Sequence, residues 1–449
     1  MNFDEIVASI SFDEFKTFFL RGKAAYLQRE VHNHPKDAKQ IQDELNKIDL
    51  DLAVVPKKVK QTLANKANDT LVNIAYFARA ISQMHPGWEE EGFKTDEFRQ
   101  AVEKLYAEQS VLLPAKQLKG DALLTEFFRI TVTTLQDNHL NVLNCQGIWP
   151  FKDKGKTIAS WGKLKANHPE GSVGKNSAFE AERLRSEGWD VLSERLSSGG
   201  KELPLMIAQK SDKGKTIGIV AFSTCFAPYP TKNEQWKRVL DQFKKQYSKW
   251  DKVILDFRGN TGGDGYQTRE VAQTLCGNEV PYCMESRPRQ TDEAQLRDES
   301  FAPIKGQPRW EKRSFKGTKK RVYVLTDKET GSAAEAIVPM MKDYPGVQFI
   351  GENTCGCCQY GAVKPVPLPC GGAIQMGSVY REYEDGLVEC VGHRPDVNCS
   401  GMDALQVALA PLPRVYVASK RGQENTSQKE KRIFPKWLKN PPWLWQGRK

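Results

Sequence analysis

The chain has 449 residues, with 66 Lys and Arg against 56 Asp and Glu, a formal net charge of +10. Apolar residues make up 39% and charged residues 27%, which excludes a disordered or fibrous chain and leaves room for two or three domains with buried cores. No window reaches the roughly 18 consecutive apolar residues of a membrane-spanning helix. The basic excess is concentrated between Lys420 and Lys449 rather than on a folded face, which argues against nucleic acid as a partner.

At the start of the chain, acidic and aromatic residues alternate (Asp4, Glu5, Phe12, Asp13, Glu14, Phe15), without the basic start and apolar block of a signal peptide. The sequence therefore reads as a protein that stays in the cytoplasm or as the processed form of an exported one. The ten cysteines, six of them between Cys355 and Cys399, favour the extracytoplasmic reading, with disulfides stapling loops. C-x-x-C zinc spacing is absent, and a zinc site or free thiols are the alternatives. The four domain assignments are a helical N-terminal domain (1–140), an insert or loop region without a PDZ signature (141–213), an α/β domain (214–413) and a tail (414–449). Sparse glycine and apolar spacings of three and four predict helices over 59–81, 98–106 and 123–135.

Beyond residue 215 the pattern alternates. Short apolar runs at 217–222, 253–255, 322–325 and 347–350 predict strands, and 233–249, 266–275 and 332–343 predict helices. Strand and helix in turn indicate a parallel or mixed sheet with crossover helices, an α/β fold. In such sheets sites gather where strand ends meet helix starts. Two such places stand out. Thr330-Gly331-Ser332-Ala333-Ala334-Glu335 puts a serine among small neighbours at a helix start, with the Ala333 N–H available to an oxyanion, although a serine there is ordinarily an N-cap. Gly262-Gly263 follows a strand and either serves a tight turn or offers backbone N–H groups opposite the serine.

Taken together, the segments Val253-Ile-Leu-Asp-Phe-Arg-Gly-Asn-Thr-Gly-Gly263, Gly331-Ser-Ala-Ala-Glu-Ala336, Gly351-Glu-Asn-Thr-Cys-Gly356 and Gly392-His-Arg-Pro-Asp396 with Gly401-Met-Asp403 resemble, in order, the motifs of the tail-specific (C-terminal processing) serine peptidase family. The resemblance spans residues 216–411 and implies a crotonase- or Clp-like catalytic domain of strands and crossover helices. It implies that protein or peptide substrates are hydrolysed through an acyl-enzyme, with neither metal nor organic cofactor. One departure is informative. Members with a Ser–Lys dyad carry a lysine where this chain has Cys357, and a thiol does not replace it as a base; Lys364 lies seven residues late. The chain is more similar to the Ser-His-Glu branch, which includes the tricorn protease core and the chlamydial protease-like activity factor. That branch implies His139, in Leu135-Gln-Asp-Asn-His-Leu140, as general base, Glu389 as orienting acid and Ser332 as nucleophile, with Ala333 and Gly262 or Gly263 forming the oxyanion hole. His32, His34, His85 and His168 read as loop residues without a role, and His393 as structural. The alternative function is a catalytically inactive member that binds apolar ligands or peptides. The Trp-rich basic tail suits packing on the body or contact with a membrane surface or partner; an oligomer is compatible with the sequence.

Overall fold

The computed structural model describes the chain except residues 34–37, 56–62, 64–65, 91–92, 136, 138, 144–150, 154–155, 159–181, 183, 194–196, 199–200, 203–204, 223–224, 226–233, 264, 277–284, 298–319, 343, 345, 383–388 and 411–449. Met1–Pro411 form one compact unit and Leu412–Lys449 a second. The tail assigned above to packing or to a membrane or partner contact lies outside the described residues.

Among the described residues, helices Phe3–Ala8, Phe12–Asn33, Ala38–Ala53, Thr70–Met84, Thr95–Ser110 and Gly120–Thr134 build the first part of the chain. Thr70–Met84 is its axis. Ile74, Ala75, Tyr76, Phe77, Ala78, Ile81 and Met84 are all buried, so the helix is apolar around most of its circumference and sits inside the helical core. Phe15 stacks on Tyr76 (4.4 Å between centroids) and Phe77 on Phe127 (4.2 Å). The stretch predicted as one helix over 59–81 is interrupted: Leu63 and Lys66 are helical, a turn at 67–68 follows, and a new helix begins at Thr70, while 59–62 and 64–65 lie outside the described residues. The Asp69 carboxylate takes the N–H groups of Leu71 (2.9 Å) and Val72 (3.3 Å), which have no partner within the helix. The helix stops at Met84 because His85 precedes Pro86 and is held extended (ψ 124). The same core continues into a small antiparallel sheet of strands Asn141–Leu143, Ala373–Met376 and Lys364–Pro367, which contribute Val142, Ile374, Met376 and Val366.

The second core surrounds a sheet of seven strands, β1 (Asp190–Ser193), β2 (Leu205–Asp212), β3 (Lys215–Phe222), β4 (Lys252–Asp256), β5 (Arg321–Thr326), β6 (Val347–Gly351) and β7 (Val397–Asn398). Each lies beside its sequence neighbour within the sheet. The β1–β2 and β2–β3 pairs are antiparallel, and all pairs from β3 to β7 are parallel. Parallel neighbours require crossovers, which helices Glu234–Tyr247, Gly265–Cys276 and Ile337–Met341 help to make. The carboxyl ends of β4, β5 and β6 lie in register, Leu325 opposite Asp256 and Thr326 opposite Gly351. The turns that follow them therefore converge.

The sequence reading assigned β1 and β2 to an insert without periodicity. β2 pairs with β3 along its full length through the two-residue loop Lys213-Gly214, both at positive φ (49 and 75), the hairpin geometry that matches strand twist. The seven cysteines whose side chains are described (Cys225, Cys355, Cys357, Cys358, Cys370, Cys390 and Cys399) form no disulfide with one another. Disulfides among them are thus excluded as an argument for export. No helix among the described residues is long and apolar enough to cross a membrane.

Candidate active site

The nucleophile segment begins where β5 ends. The buried Asp327 carboxylate accepts N–H bonds from Gly259 (2.9 Å), Glu329 (3.0 Å) and Thr330 (2.9 Å), tying the turn after β5 to the turn after β4. Ser332 follows with φ +52, a conformation side chains seldom adopt. The helix predicted over 332–343 is divided as a result: Ser332–Ala334 is a single 3₁₀ turn and the α-helix begins at Ile337. Glu335, fully buried, folds back so that its carboxylate accepts the N–H groups of Ser332 (3.1 Å), Gly356 (2.7 Å) and Cys357 (2.7 Å). It clamps the serine turn onto the loop after β6. The Ser332 N–H also points at Cys357 Sγ (2.9 Å).

The glycine turn after β4 is built around Asn260. Its side-chain oxygen accepts the Gly262 N–H (2.9 Å) and its carbonyl accepts the Gly331 N–H (2.9 Å). Asp256 and Arg258 brace the turn through a buried pair (2.8 Å from Nε to Oδ1), and Arg258 also donates to the Gly401 carbonyl (2.7 Å). Gly262 sits at φ +101, and a Cβ there would lie 2.6 Å from the Gly331 oxygen and 2.7 Å from Ser332 Cβ. The two glycines therefore differ. Gly262 spends its N–H on Asn260 and allows the turn to approach the serine. The N–H groups of Gly263 and Ala333 have no acceptor among the described residues.

His139 arrives from the helical side, just beyond helix Gly120–Thr134. Its Nε2 lies 2.8 Å from Ser332 Oγ, across 193 positions of sequence. Asp137 Oδ1 accepts the His139 main-chain N–H (2.7 Å), an aspartate-initiated turn that fixes the residue before the ring is placed. Burial pulls the His139 imidazole below its ordinary pKa, and Arg381 adds to this; Asp137, Glu335 and the Tyr360 main chain oppose it without reversing it. The ring is accordingly neutral near pH 7, as a general base requires.

Glu389 is buried and bonded both ways to Gln359: it accepts the Gln359 N–H (3.1 Å), and its own N–H goes to the Gln359 side chain (2.9 Å). Ligand-type atoms of Asp137, His139 and Glu389 lie within 4.8 Å of one another. Glu389 makes no hydrogen bond to the ring, however, because His139 Nδ1 is buried without one. Burial, together with the Asp137 and Glu335 carboxylates, pushes the Glu389 carboxyl well above the usual carboxylate range. A grouping of this kind can hold a cation, but both Asp137 oxygens are already engaged, one by His139 N–H and the other by His85 Nε2 (2.8 Å). The Asp137 part of this grouping is a hydrogen-bonded support for the residue that carries the imidazole.

Cys357, at the position of the family lysine, is not a base. The neighbouring Cys355, and then burial, push its thiol well above the ordinary range. His393 is structural, exchanging bonds with Thr354 through its N–H (2.7 Å) and carbonyl (3.1 Å). Of the histidines read as having no role, His85 is a correction: it is fully buried and bonded to Asp137. The available signal was its position at the proline-terminated end of an apolar helix. Arg381 was also missed, and no spacing in the sequence connects it with His139.

Residues 216–398 match the sequence model of peptidase family S41. The chain thus carries an S41 peptidase domain, that of a serine-type peptidase, preceded by a helical region. No curated protein sequence matches the chain. Among solved structures, a candidate peptidase from Parabacteroides merdae superposes with TM-score 0.50 at 15% identity, over 76% of this chain and 96% of that one. The photosystem II D1 C-terminal processing protease gives TM-score 0.42 at 14% identity over 74% and 94% of the two chains. Mature CPAF in complex with lactacystin gives 0.43 at 13% over 77% and 96%.

Proposed function

We propose that the protein is a serine endopeptidase of the Ser-His-Glu type that cleaves peptide bonds through an acyl-enzyme. The observation that carries this reading is the 2.8 Å approach of His139 Nε2 to Ser332 Oγ. A serine hydroxyl is a weak nucleophile until a neighbouring base takes its proton, and a neutral imidazole at hydrogen-bond distance does so. Ser332 Oγ attacks the scissile carbonyl while His139 Nε2 accepts its proton. The oxyanion that forms is held by the N–H groups of Ala333 and Gly263. His139 then returns the proton to the leaving amine, and a water attacks the acyl-serine with the same base. Glu389, with a carboxyl oxygen within 4.8 Å of a ring nitrogen, orients the imidazole as a hydrogen-bond acceptor once Nδ1–H turns towards it, and Asp137 holds the main chain that carries the ring. Extended or unfolded segments of protein are the substrates this reading favours, because the sequence carries no clear PDZ signature for reading free C-termini.

The test is labelling with a fluorophosphonate, which traps an activated serine, followed by peptide mass spectrometry. The adduct is expected on Ser332, absent in Ser332→Ala and strongly reduced in His139→Ala. A folded wild-type protein that takes no label at Ser332 overturns the reading in favour of a binding module.

A further inference from the structure

Beyond the serine and its base, a second histidine lies one residue behind the site. We propose that His85 is a positioning residue of the peptidase, holding Asp137 in the orientation that presents His139 to Ser332. The inference rests on the peptidase reading above.

The geometry is a continuous line. His85 Nε2 lies 2.8 Å from Asp137 Oδ2, and both side chains are wholly buried. The Gly87 N–H donates to His85 Nδ1 (3.1 Å), so that nitrogen carries no proton and the hydrogen sits on Nε2, facing the carboxylate. Asp137 Oδ1 takes the His139 N–H (2.7 Å), and His139 Nε2 meets the serine (2.8 Å). The His85 ring has little freedom: it stacks on Phe93 (4.4 Å, 13°) and meets the edge of Tyr360 (4.9 Å, 65°). Gly87 makes that packing feasible, because a Cβ there would lie 2.6 Å from the Tyr360 ring.

Asp137 needs this donor for a specific reason. It is buried close to the Glu389 carboxyl and next to a ring that is itself neutral. A buried carboxylate keeps one orientation only where donors replace the lost water at both of its oxygens. Without His85, the Asp137 carboxylate is no longer fixed beside the ring, and His139 loses the largest of the influences that favour its protonated form. The groups acting on the His139 ring are then Arg381, which opposes charge, and Glu335, Glu389, the Tyr360 main chain and the Ser332 hydroxyl. The ring becomes a weaker base on a looser support.

The experiment is the pH dependence of the fluorophosphonate labelling rate in the full chain, which needs no identified substrate. His85→Phe is expected to lower the plateau rate by about 10- to 100-fold, the range for a lost bond to a charged group, and to move the acidic limb to lower pH. His85→Gln, whose side-chain amide can donate in place of Nε2, is expected to restore most of the rate and the position of the limb. Asp137→Asn is expected to move the limb as His85→Phe does. A purely structural role would reduce the fraction of protein that labels while leaving the limb in place. Folded His85→Phe with the wild-type rate and limb, or Asp137→Asn with an unmoved limb, overturns the proposal while Ser332 labelling of the wild type upholds the peptidase. If the wild type itself takes no label, the peptidase reading fails first. Should His85→Phe not fold, ¹⁵N resonances of the wild-type histidines decide: a His85 hydrogen on Nε2 with Nδ1 free of one is expected, and a hydrogen on Nδ1 overturns the proposal.

Discussion

At Ser332 a β-carbon occupies a left-handed backbone position (φ +52) of the sort that costs about 1–3 kcal/mol. The surroundings hold it there: the Glu335 carboxylate and Cys357 Sγ take its N–H, and Gly262 lies against its Cβ. Gly262→Ala is therefore expected to push the glycine turn off the serine turn and slow fluorophosphonate labelling by about 10²-fold or more, the scale of a lost oxyanion donor, with far-UV circular dichroism preserved. Glu335→Gln places an amide NH₂ among backbone donors; it should lower stability by about 1–3 kcal/mol in urea unfolding and reduce labelling with it. The pH profile has a definite sign. Because burial disfavours the charged His139 ring, its base form persists to lower pH than in a free histidine, so labelling should rise with pH and reach half its plateau below about 6.5. A midpoint above 7 would contradict the assigned environment of the ring.

At the scale of elements, packing explains both what the sequence made visible and what it concealed. β4, β5 and β6 are short β-branched or aliphatic runs buried on both faces, and such runs bounded by glycine and polar residues are readable without coordinates. Ser332 and His139 were reached through motifs, because the residues flanking them have a distinctive order. β2 was missed because its apolar residues form one short run, Leu205–Ala208, rather than alternating, and its partner lies across a two-residue loop with no asparagine to announce it. The division of the 332–343 helix was also hidden: a positive φ at a non-glycine residue arises from tertiary clamps on Glu335, not from local preference. His85 stayed hidden for the same reason, since its partner is 52 positions away. Gly218 in β3 illustrates how close these contacts are, with Trp250 seated where a Cβ would stand (1.9 Å from Cδ2). Gly218→Ala is expected to cost about 1–3 kcal/mol through overpacking, seen as a lower thermal midpoint, with the pH profile of labelling unchanged.

For the molecule as a whole, the proposed catalytic pair joins two cores. The helical core delivers His139 from the end of Gly120–Thr134, and the sheet core delivers Ser332 from the end of β5, within the one compact unit Met1–Pro411. The seven described cysteines of this unit do not cross-link one another. Alkylation of the unfolded chain without reductant should accordingly modify Cys225, Cys355, Cys357, Cys358, Cys370, Cys390 and Cys399, as read by peptide mass spectrometry. A disulfide recovered between any two of them would contradict the structure.

The long interval between His139 and Ser332 also has a meaning during synthesis. A ribosome makes the imidazole first and must add 193 further residues before the hydroxyl exists. Throughout that interval the growing polypeptide carries a proton acceptor with nothing to activate. On the proposed mechanism, hydrolytic power is thus withheld from every partial product that stops short of β5.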